Sequence, residues 1–181
     1  DNETVFVEAT TEELDEAAAL AETAFITYSE MPGVKRAAFL NAIADEILNL
    51  GTALVDIYCE ETGLPEGRAE GERGRTVFQL QLFAEMIASE DWRNIVSEKA
   101  LPERTPLPKP SLQKTHIPLG PIAVFGASNF PLAYSTAGGD TANALAAGCP
   151  VIVKSHPMHS GTGALVASAI IKAAEDTGMP N

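Results

Sequence analysis

The chain has 181 residues, of which 45% are hydrophobic and 20% charged, as in an ordinary globular protein with one sizeable core. Twelve Lys and Arg against 25 Asp and Glu give a formal net charge of −13. Because such a surface repels polyanions, we expect neither nucleic acid nor a membrane as a partner. No apolar run approaches the roughly 20 residues that span a bilayer. Two cysteines far apart in sequence, Cys59 and Cys149, suit the reducing cytoplasm.

The first hundred residues have the apolar periodicity of helices. Thr10 and Glu13 have the spacing of a capping box, and apolar residues then repeat at helical intervals over 14–25. A second apolar stripe covers 39–58. Gly51 interrupts this stripe, so we expect it to bend or split the second helix.

A third helix is predicted after Gly63, which ends the second, with Pro65 in its first turn. Its buried side is predicted to carry Thr76, Leu80, Phe83 and Ile87. The segment AEGERGRT gives the same helix a mixed-charge face formed by Glu70, Glu72, Arg73 and Arg75. Most such faces are solvated. The alternative is that Arg73 or Arg75 points into a substrate channel and pairs with a carboxylate.

Six prolines between residues 102 and 121 exclude a helix in that stretch. Alternating apolar and polar residues at 112–117 favour a short, exposed, extended segment. We interpret residues 104–120 as an arm that leaves the body of the domain.

From residue 120 onwards the pattern predicts an α/β protein. Apolar runs at 122–127 and 150–154 are typical of strands buried on both faces, and helices are predicted at 134–147 and 161–177. This alternation indicates parallel strands joined by a right-handed crossover. The predicted fold class is therefore α/β, with N-terminal helices followed by the start of a Rossmann-like parallel sheet.

The predicted domain organisation has three parts. A helical part covers residues 1–103, the arm covers 104–120, and a βαβα part covers 121–181. We expect a third strand to follow residue 181, so that the chain contains only the first portion of the sheet.

The segment 126–132 follows the first predicted strand, at the edge where open α/β sheets bind their ligands. Phe130 precedes Pro131 and is therefore restricted to extended geometry, which stiffens the turn. A stiff turn can hold the Asn129 amide over the crevice, where a neutral donor stabilises an oxyanion. The alternative is that Asn129 caps the next helix or orders the turn.

Lys154 ends the second predicted strand and can bind a ribose hydroxyl or a phosphate at the same edge. The alternative is a solvated lysine at a strand end. His156 and His159 stand three apart, but the intervening proline and the lack of a Cys, Asp or Glu partner argue against a metal site.

Several other small residues are interpreted as packing residues. No phosphate-binding loop of the Gly-x-Gly-x-x-Gly or Walker type is present, and Gly138, Gly139 and Gly148 suit close packing of a helix on the sheet. Cys59 and Cys149 lack a nearby base, so both are interpreted as core residues rather than nucleophiles.

Two long segments carry a resemblance to a known family. PLGPIAVFGASNFPL and GGDTANALAAGCPVIVK resemble the PWNFP and ALAAGN-strand-KP segments of the aldehyde dehydrogenase superfamily, and RAAFLNAIADEILNLGTALVDIYCEETGLP resembles its N-terminal helices. The similarity covers essentially the whole chain. GERGRT together with the stretch at 128–163 is similar to the branch that oxidises 2-oxoglutarate semialdehyde.

The resemblance implies specific roles for several residues. Asn129 matches the oxyanion-hole asparagine of the family, and Lys154 matches the lysine that binds the adenosine ribose. The stretch that lines the nicotinamide riboside is matched by Phe125, Gly126, Ala127 and Ser128. Pro157 stands where many NAD-preferring members carry a glutamate, and Ser155 or His156 could donate to a 2′-phosphate. The expected cofactor is therefore NADP or NAD, with NADP favoured.

The implied activity is NAD(P)-dependent oxidation of a small-molecule aldehyde to an acid, in a cytoplasmic homodimer or homotetramer. Ser128 replaces the aromatic residue that usually precedes the asparagine, which widens the site. The family's nucleophilic cysteine and general-base glutamate are expected beyond residue 181, so we predict that this chain alone is inactive. Two alternatives stay open. One is a non-catalytic nucleotide-binding or assembly module, and the other is a relative of acylating dehydrogenases or glutamyl-phosphate reductases.

Overall fold

Four helices precede two short sheets and two further helices in the computed structural model, which describes residues 5–180, with the backbone alone at 90 and 91. The termini of the predicted domains, 1–4 and 181, lie outside the described residues. The helical part contains α1 (Thr11–Tyr28), α2 (Gly33–Asn49), α3 (Gly51–Thr62) and α4 (Glu66–Ala88). The rest contains β1 (Val96–Glu98), β2 (Leu112–Lys114), β3 (Ile122–Phe125), α5 (Gly139–Ala147), β4 (Val151–Lys154) and α6 (Ser160–Thr177).

Local sequence chemistry sets most helix ends. The predicted capping box is confirmed, because the Thr10 side chain accepts from the Glu13 amide and the Glu13 carboxylate accepts from the Thr10 amide. Gly51, at φ +57°, splits the second predicted helix into α2 and α3, whose axes differ by 74°. Gly63 ends α3 in the left-handed conformation, as predicted. Pro65 occupies the N-cap of α4 rather than its first turn.

The apolar repeat at 14–25 lies on α1, but its first part is exposed. Leu14 is 57% exposed, and the buried residues of this helix are Ala21, Ala24 and Tyr28. Helix α1 contacts β4, and its buried residues lie in its C-terminal half. The apolar residues near its start therefore face solvent.

Helix α2 forms the centre of the helical part. It packs against α4, α5 and α6, and its side chains at 40, 43 and 44 are fully buried. No single helix among the described residues is long and apolar enough to cross a bilayer, although α2 and α3 taken together pass by length and composition.

Two buried side chains of the helical part bind the C-terminal end of α5. The Tyr28 hydroxyl donates to the Leu145 carbonyl at 2.9 Å, and the Arg36 Nε donates to the Ala146 carbonyl at 3.2 Å. The last carbonyls of a helix lack intrahelical donors and carry partial negative charge. The Leu145 carbonyl also accepts from the Gly148 amide, so the Tyr28 bond is additional there, and the two side-chain bonds fix α5 against α1 and α2.

An exposed hairpin separates the helical part from the parallel sheet. Strands β1 and β2 pair antiparallel, with Val96 opposite Lys114, and every residue of both strands is exposed. The extended, exposed segment predicted at 112–117 is thus found, but its partner strand begins at Val96, before the predicted start of the arm.

The parallel pairing of β3 with β4 is confirmed, with Ile122 opposite Val151 and Phe125 opposite Lys154. The predicted burial of β3 on both faces is wrong, since Ala123 is exposed and Phe125 is 71% exposed. Helix α5 contacts β3 but leaves these two residues accessible to solvent. Strand β4 is likewise half-buried rather than fully buried.

The helix predicted at 134–147 begins later, at Gly139. Residues 131–138 form consecutive turns, and Gly138 packs so closely that a Cβ there would lie 2.5 Å from the Ala133 carbonyl oxygen. The close packing expected of Gly138 is therefore present, but it occurs within a turn.

Two glycine substitutions test this packing. We expect Gly71→Ala to raise the free energy of unfolding by about 0.5–1 kcal/mol, because Gly71 lies in α4 and its added Cβ would meet nothing within 4 Å. Gly138→Ala should lower the same quantity by about 1–3 kcal/mol, as overpacking does. Urea unfolding of both variants measures the difference, and equal stabilities would contradict it.

Candidate functional site

The turn between β3 and α5 folds back on itself at the carboxyl edge of the parallel sheet. The Gly126 amide continues the strand pairing by donating to the Lys154 carbonyl at 3.1 Å. The Ala127 amide donates to the Tyr134 carbonyl at 2.9 Å, and the Tyr134 amide donates to the Phe130 carbonyl at 3.2 Å. These bonds close a loop that holds Asn129 at its tip.

Asn129 is exposed, and within residues 5–180 its side-chain amide has no hydrogen-bond partner. The cap of α5 is the backbone of Gly138, without any side-chain hydrogen bond. The alternative that Asn129 caps the next helix is therefore wrong. Its backbone is bound instead, because the Asn129 carbonyl accepts from the Arg68 Nη2 at 2.7 Å.

Glu72 is buried, contrary to the prediction from the sequence. It was predicted to be part of a solvated charged face, yet it is only 5% exposed. One carboxylate oxygen accepts from the Leu132 and Ala133 amides at 3.1 and 3.3 Å. The other accepts from the Tyr58 hydroxyl at 2.9 Å and the Arg68 Nε at 3.0 Å. Burial is tolerated because four donors replace the lost water.

Tyr58 acts as a donor throughout the physiological pH range. Burial, and then the hydrogen bond to and the charge of Glu72, raise the pKa of Tyr58 to about 12. The phenol therefore remains protonated and supplies its hydrogen to the carboxylate.

The two arginines predicted to bind substrate lie in different places. Arg73 donates to the Gly51 carbonyl at 2.9 Å, at the break between α2 and α3. Arg75 is exposed, stacks over the Tyr134 ring with 4.9 Å from guanidinium carbon to ring centroid, and donates to the Tyr134 hydroxyl. The structure therefore brings Arg75, but not Arg73, into contact with the turn that carries Asn129.

Two histidines pack beneath the same turn. His159 is fully buried, and its Nε2 lies 2.9 Å from the Ala127 carbonyl, to which it donates. His156 stacks on His159, with ring centroids 5.2 Å apart, and its Nδ1 accepts from the Met158 amide at 3.2 Å. Burial, followed by the charges of His159 and Lys154, lowers the pKa of His156. Its ring is therefore neutral at pH 7 with the proton on Nε2.

The remaining predicted cofactor residues differ in accessibility. Lys154 and Ser128 are exposed, Gly126 and Ala127 are half-buried, and the Phe125 ring faces solvent. The Ser155 hydroxyl is buried and has no hydrogen-bond partner in the described part of the chain, and it faces Gly163 in the first turn of α6.

The first amides of α6 are already occupied. The Glu61 carboxylate accepts from the Gly161 and Thr162 amides at 2.6 and 2.8 Å, and from the Thr162 hydroxyl at 2.7 Å. A helix N-terminus usually attracts anions, but here a protein carboxylate takes that place. Any phosphate near β4 would therefore meet Lys154 and His156 rather than the amides of α6.

The cysteines lie away from Asn129. Cys149 is buried at the start of β4, the end of the sheet opposite Asn129, as expected of a core residue. Cys59 is half-buried on α3. A groove of about 570 Å³ follows the free edge of β3, but neither Asn129 nor Lys154 lines it. No three His, Cys, Asp or Glu side chains in the described part of the chain are grouped to hold a metal ion.

The sequence model of the aldehyde dehydrogenase family matches residues 3–181, which is nearly the whole chain. The chain belongs to the aldehyde dehydrogenase family. It is 54% identical to alpha-ketoglutaric semialdehyde dehydrogenase 2 of Azospirillum brasilense, over 97% of this chain and 34% of that protein. It is 50% identical to alpha-ketoglutaric semialdehyde dehydrogenase of Acinetobacter baylyi, over 98% of this chain and 34% of that protein.

A solved structure shows the same fold. Glyceraldehyde-3-phosphate dehydrogenase from Methanocaldococcus jannaschii, in complex with NADP, superposes with a TM-score of 0.74 at 21% identity, over 97% of this chain and 36% of that chain. The chain thus spans about a third of the length of the aldehyde dehydrogenases it matches, and the incomplete α/β fold predicted from the sequence is confirmed.

Several residues that shape this aldehyde dehydrogenase site were not predicted to do so. Extending the predicted buried side of α4 back one turn from Thr76 reaches Glu72, and a further turn reaches Arg68. That spacing is the one signal that could have identified the pair. Tyr58 and His159 carried no comparable signal, because their partners lie 14 and 32 residues away.

The exposed side chain of Asn129 leads to a stability prediction. We expect Asn129→Ala to change the free energy of unfolding by less than about 0.5 kcal/mol, since a surface side chain without partners contributes little. Thr10→Ala is the matched control, because it removes a side-chain cap and should lower stability by about 1 kcal/mol. Equal losses in the two variants, measured by urea unfolding, would contradict the free amide.

Proposed function

We propose that this chain is part of an enzyme that oxidises an aldehyde to a carboxylate with NAD(P), and that its substrate is 2-oxoglutarate semialdehyde. The observation that carries the proposal is the exposed, unpartnered amide of Asn129 on a turn held at the carboxyl edge of the sheet. The substrate assignment is supported by two relatives, 54% and 50% identical, that carry the name alpha-ketoglutaric semialdehyde dehydrogenase.

Asn129 supplies a fixed, neutral donor for a developing negative charge. When a cysteine thiolate adds to an aldehyde carbon, the carbonyl oxygen becomes an oxyanion that needs hydrogen-bond donors. The Asn129 amide meets this need without titrating, and its backbone is held by Arg68, so little reorganisation is required.

The thiolate itself is not assigned to this chain. Cys149 is buried at the opposite end of the sheet from Asn129, and Cys59 lies on α3. The proposal therefore assigns the nucleophile, and the glutamate that activates the hydrolytic water, to the region of the relatives that this chain does not span.

The residues at the carboxyl edge fit a nicotinamide dinucleotide. Lys154 offers an exposed cation, and the His156 imidazole offers its Nε2–H as a donor. Phe125 adds an exposed ring surface. Lys154 would hold a ribose or phosphate oxygen, and residues 125–128 would line the nicotinamide end. When bound, the cofactor supplies the oxidant, accepting two electrons and a proton from the aldehyde carbon.

We favour NADP over NAD as the cofactor. Pro157 provides no carboxylate against a 2′-phosphate, and His156 can donate one neutral hydrogen bond to it. The dehydrogenase from Methanocaldococcus jannaschii with this fold binds NADP. Ser155 is the weaker candidate, because its hydroxyl faces α6.

Arg75 is the proposed partner of the substrate's distal carboxylate. It is exposed and held beside the Asn129 turn by Tyr134, whereas Arg73 is engaged at the Gly51 carbonyl. A guanidinium pairs with a carboxylate through two parallel hydrogen bonds, which would distinguish a semialdehyde acid from a simple aldehyde.

The exposed hairpin is the proposed site of contacts between subunits. Leu107, Ile117 and Leu119 are exposed apolar residues of the segment around β2. Contacts between subunits of a homodimer or homotetramer would cover them. We place the enzyme in the cytoplasm, in accord with its unpaired cysteines.

Replacement of Asn129 tests the proposed reaction. In an active protein containing this sequence, Asn129→Ala should lower kcat for 2-oxoglutarate semialdehyde by about a hundredfold or more, as loss of one oxyanion donor does. Asn143→Ala, which alters an exposed asparagine on α5, is the matched control and should leave kcat unchanged. Near-normal turnover of Asn129→Ala would refute its role as oxyanion donor. If the unchanged protein oxidised simple aldehydes faster than 2-oxoglutarate semialdehyde, the proposed substrate would be refuted.

Two substitutions at β4 test cofactor binding. Lys154→Ala should raise the Kd of both NAD and NADP about tenfold, by loss of one charged hydrogen bond. Pro157→Glu should weaken NADP relative to NAD, since the added carboxylate repels the 2′-phosphate. Fluorescence titration measures both constants, and the exposed Lys35→Ala on α2 is the control. An unchanged Kd for Lys154→Ala would remove it from the site.

A further inference from the structure

The Glu72 carboxylate divides its hydrogen bonds between two parts of the chain. One oxygen accepts from Tyr58 and Arg68, and the second accepts from two successive amides of the Asn129 turn, those of Leu132 and Ala133. These amides begin only three residues after Asn129. The carboxylate thus binds the segment of backbone that leaves the candidate oxyanion donor.

Arg68 completes the attachment from the other side of the turn. Its Nε binds Glu72 and its Nη2 binds the Asn129 carbonyl at 2.7 Å, so one rigid guanidinium joins the two. The same guanidinium carbon lies 4.8 Å from the centroid of the Phe130 ring. A planar group with several fixed donors transmits position more faithfully than a flexible ammonium.

The turn is therefore held at three points around Asn129. Arg68 donates to the Asn129 carbonyl and stacks over the Phe130 ring. Glu72 accepts from the amides of Leu132 and Ala133. The Asn129 side chain itself is left unbound among the described residues. This arrangement restrains the backbone while leaving the amide available to a ligand.

We propose that Glu72, acting through Arg68 and the amides of Leu132 and Ala133, is a positioning residue that sets the place of the Asn129 amide. The inference rests on the proposed function, because it assigns Glu72 an effect only through that amide. Glu72 touches neither substrate nor cofactor in this role. Its removal should lower kcat and leave the Kd of the cofactor unchanged.

A double-mutant cycle separates positioning from a purely structural contribution. The cycle compares kcat of Glu72→Gln, Asn129→Ala and the double variant, in an active protein containing this sequence and at a temperature where all are folded. Glutamine keeps the shape but loses the charge. It has only one acceptor oxygen, so it cannot accept from the turn amides and from Tyr58 and Arg68 at the same time. We expect Glu72→Gln to lower kcat by about tenfold or more, since misplacement by an ångström can cost as much as a hundredfold.

The decisive comparison is made in the Asn129→Ala background. There Glu72→Gln should lower kcat less than about twofold, because the amide that it positions is already gone. A merely structural residue would lower kcat by the same factor in both backgrounds. Glu70→Gln, which removes an exposed carboxylate from the same helix, is the matched control and should not alter kcat.

The outcomes distinguish this inference from the proposed function. Near-normal turnover of Asn129→Ala removes both. A large loss for Asn129→Ala combined with additive losses, or with no loss for Glu72→Gln, overturns the positioning role alone. Should Glu72→Gln fail to fold, Arg68→Lys replaces it in the same cycle, because Arg68 is 38% exposed and its charge is retained. The loss of kcat caused by Arg68→Lys must likewise be smaller in the Asn129→Ala background. Equal losses in the two backgrounds overturn the inference.

Discussion

A buried carboxylate joins the helical part of the chain to the turn that follows the first parallel strand. Moving an unpaired carboxylate into a protein interior costs several kcal/mol, so Glu72 is stable there only with its full set of donors. Two of those donors are backbone amides of the turn, which would be unpaired without it. Helix α4 and the turn consequently depend on one another, and neither can shift without leaving charged or polar groups unsatisfied.

The same principle governs the rest of the contact between the two parts. Glu61 binds the first amides of α6, while Tyr28 and Arg36 bind the last carbonyls of α5. Negative groups thus lie at a helix start and hydrogen donors at a helix end, as the polarity of helices requires. Glu61 acts at the carboxyl edge of the sheet, where α6 begins, whereas Tyr28 and Arg36 act at the opposite edge, where α5 ends.

At that edge the backbone is restrained and the functional side chains are accessible. Asn129 follows β3 and Lys154 ends the neighbouring parallel strand β4, so both lie at the same edge, where open sheets bind ligands. The buried His159 supports the turn from below through the Ala127 carbonyl. Family membership, a fixed turn and an unbound amide are the features on which the proposed oxidation of a semialdehyde depends.

Features set by local chemistry were predictable from the sequence. The capping box at Thr10, the breaks at Gly51 and Gly63 and the parallel strand order depend on residues close together in the chain. The exposure of β3, the late start of α5 and the burial of Glu72 depend on which distant segments pack together. The bonds from Glu72 to the turn span 60 and 61 residues, and no local pattern encodes them. Sequence alone therefore determined the elements and the family resemblance, whereas tertiary packing alone decided which charge is buried and which amide is left free.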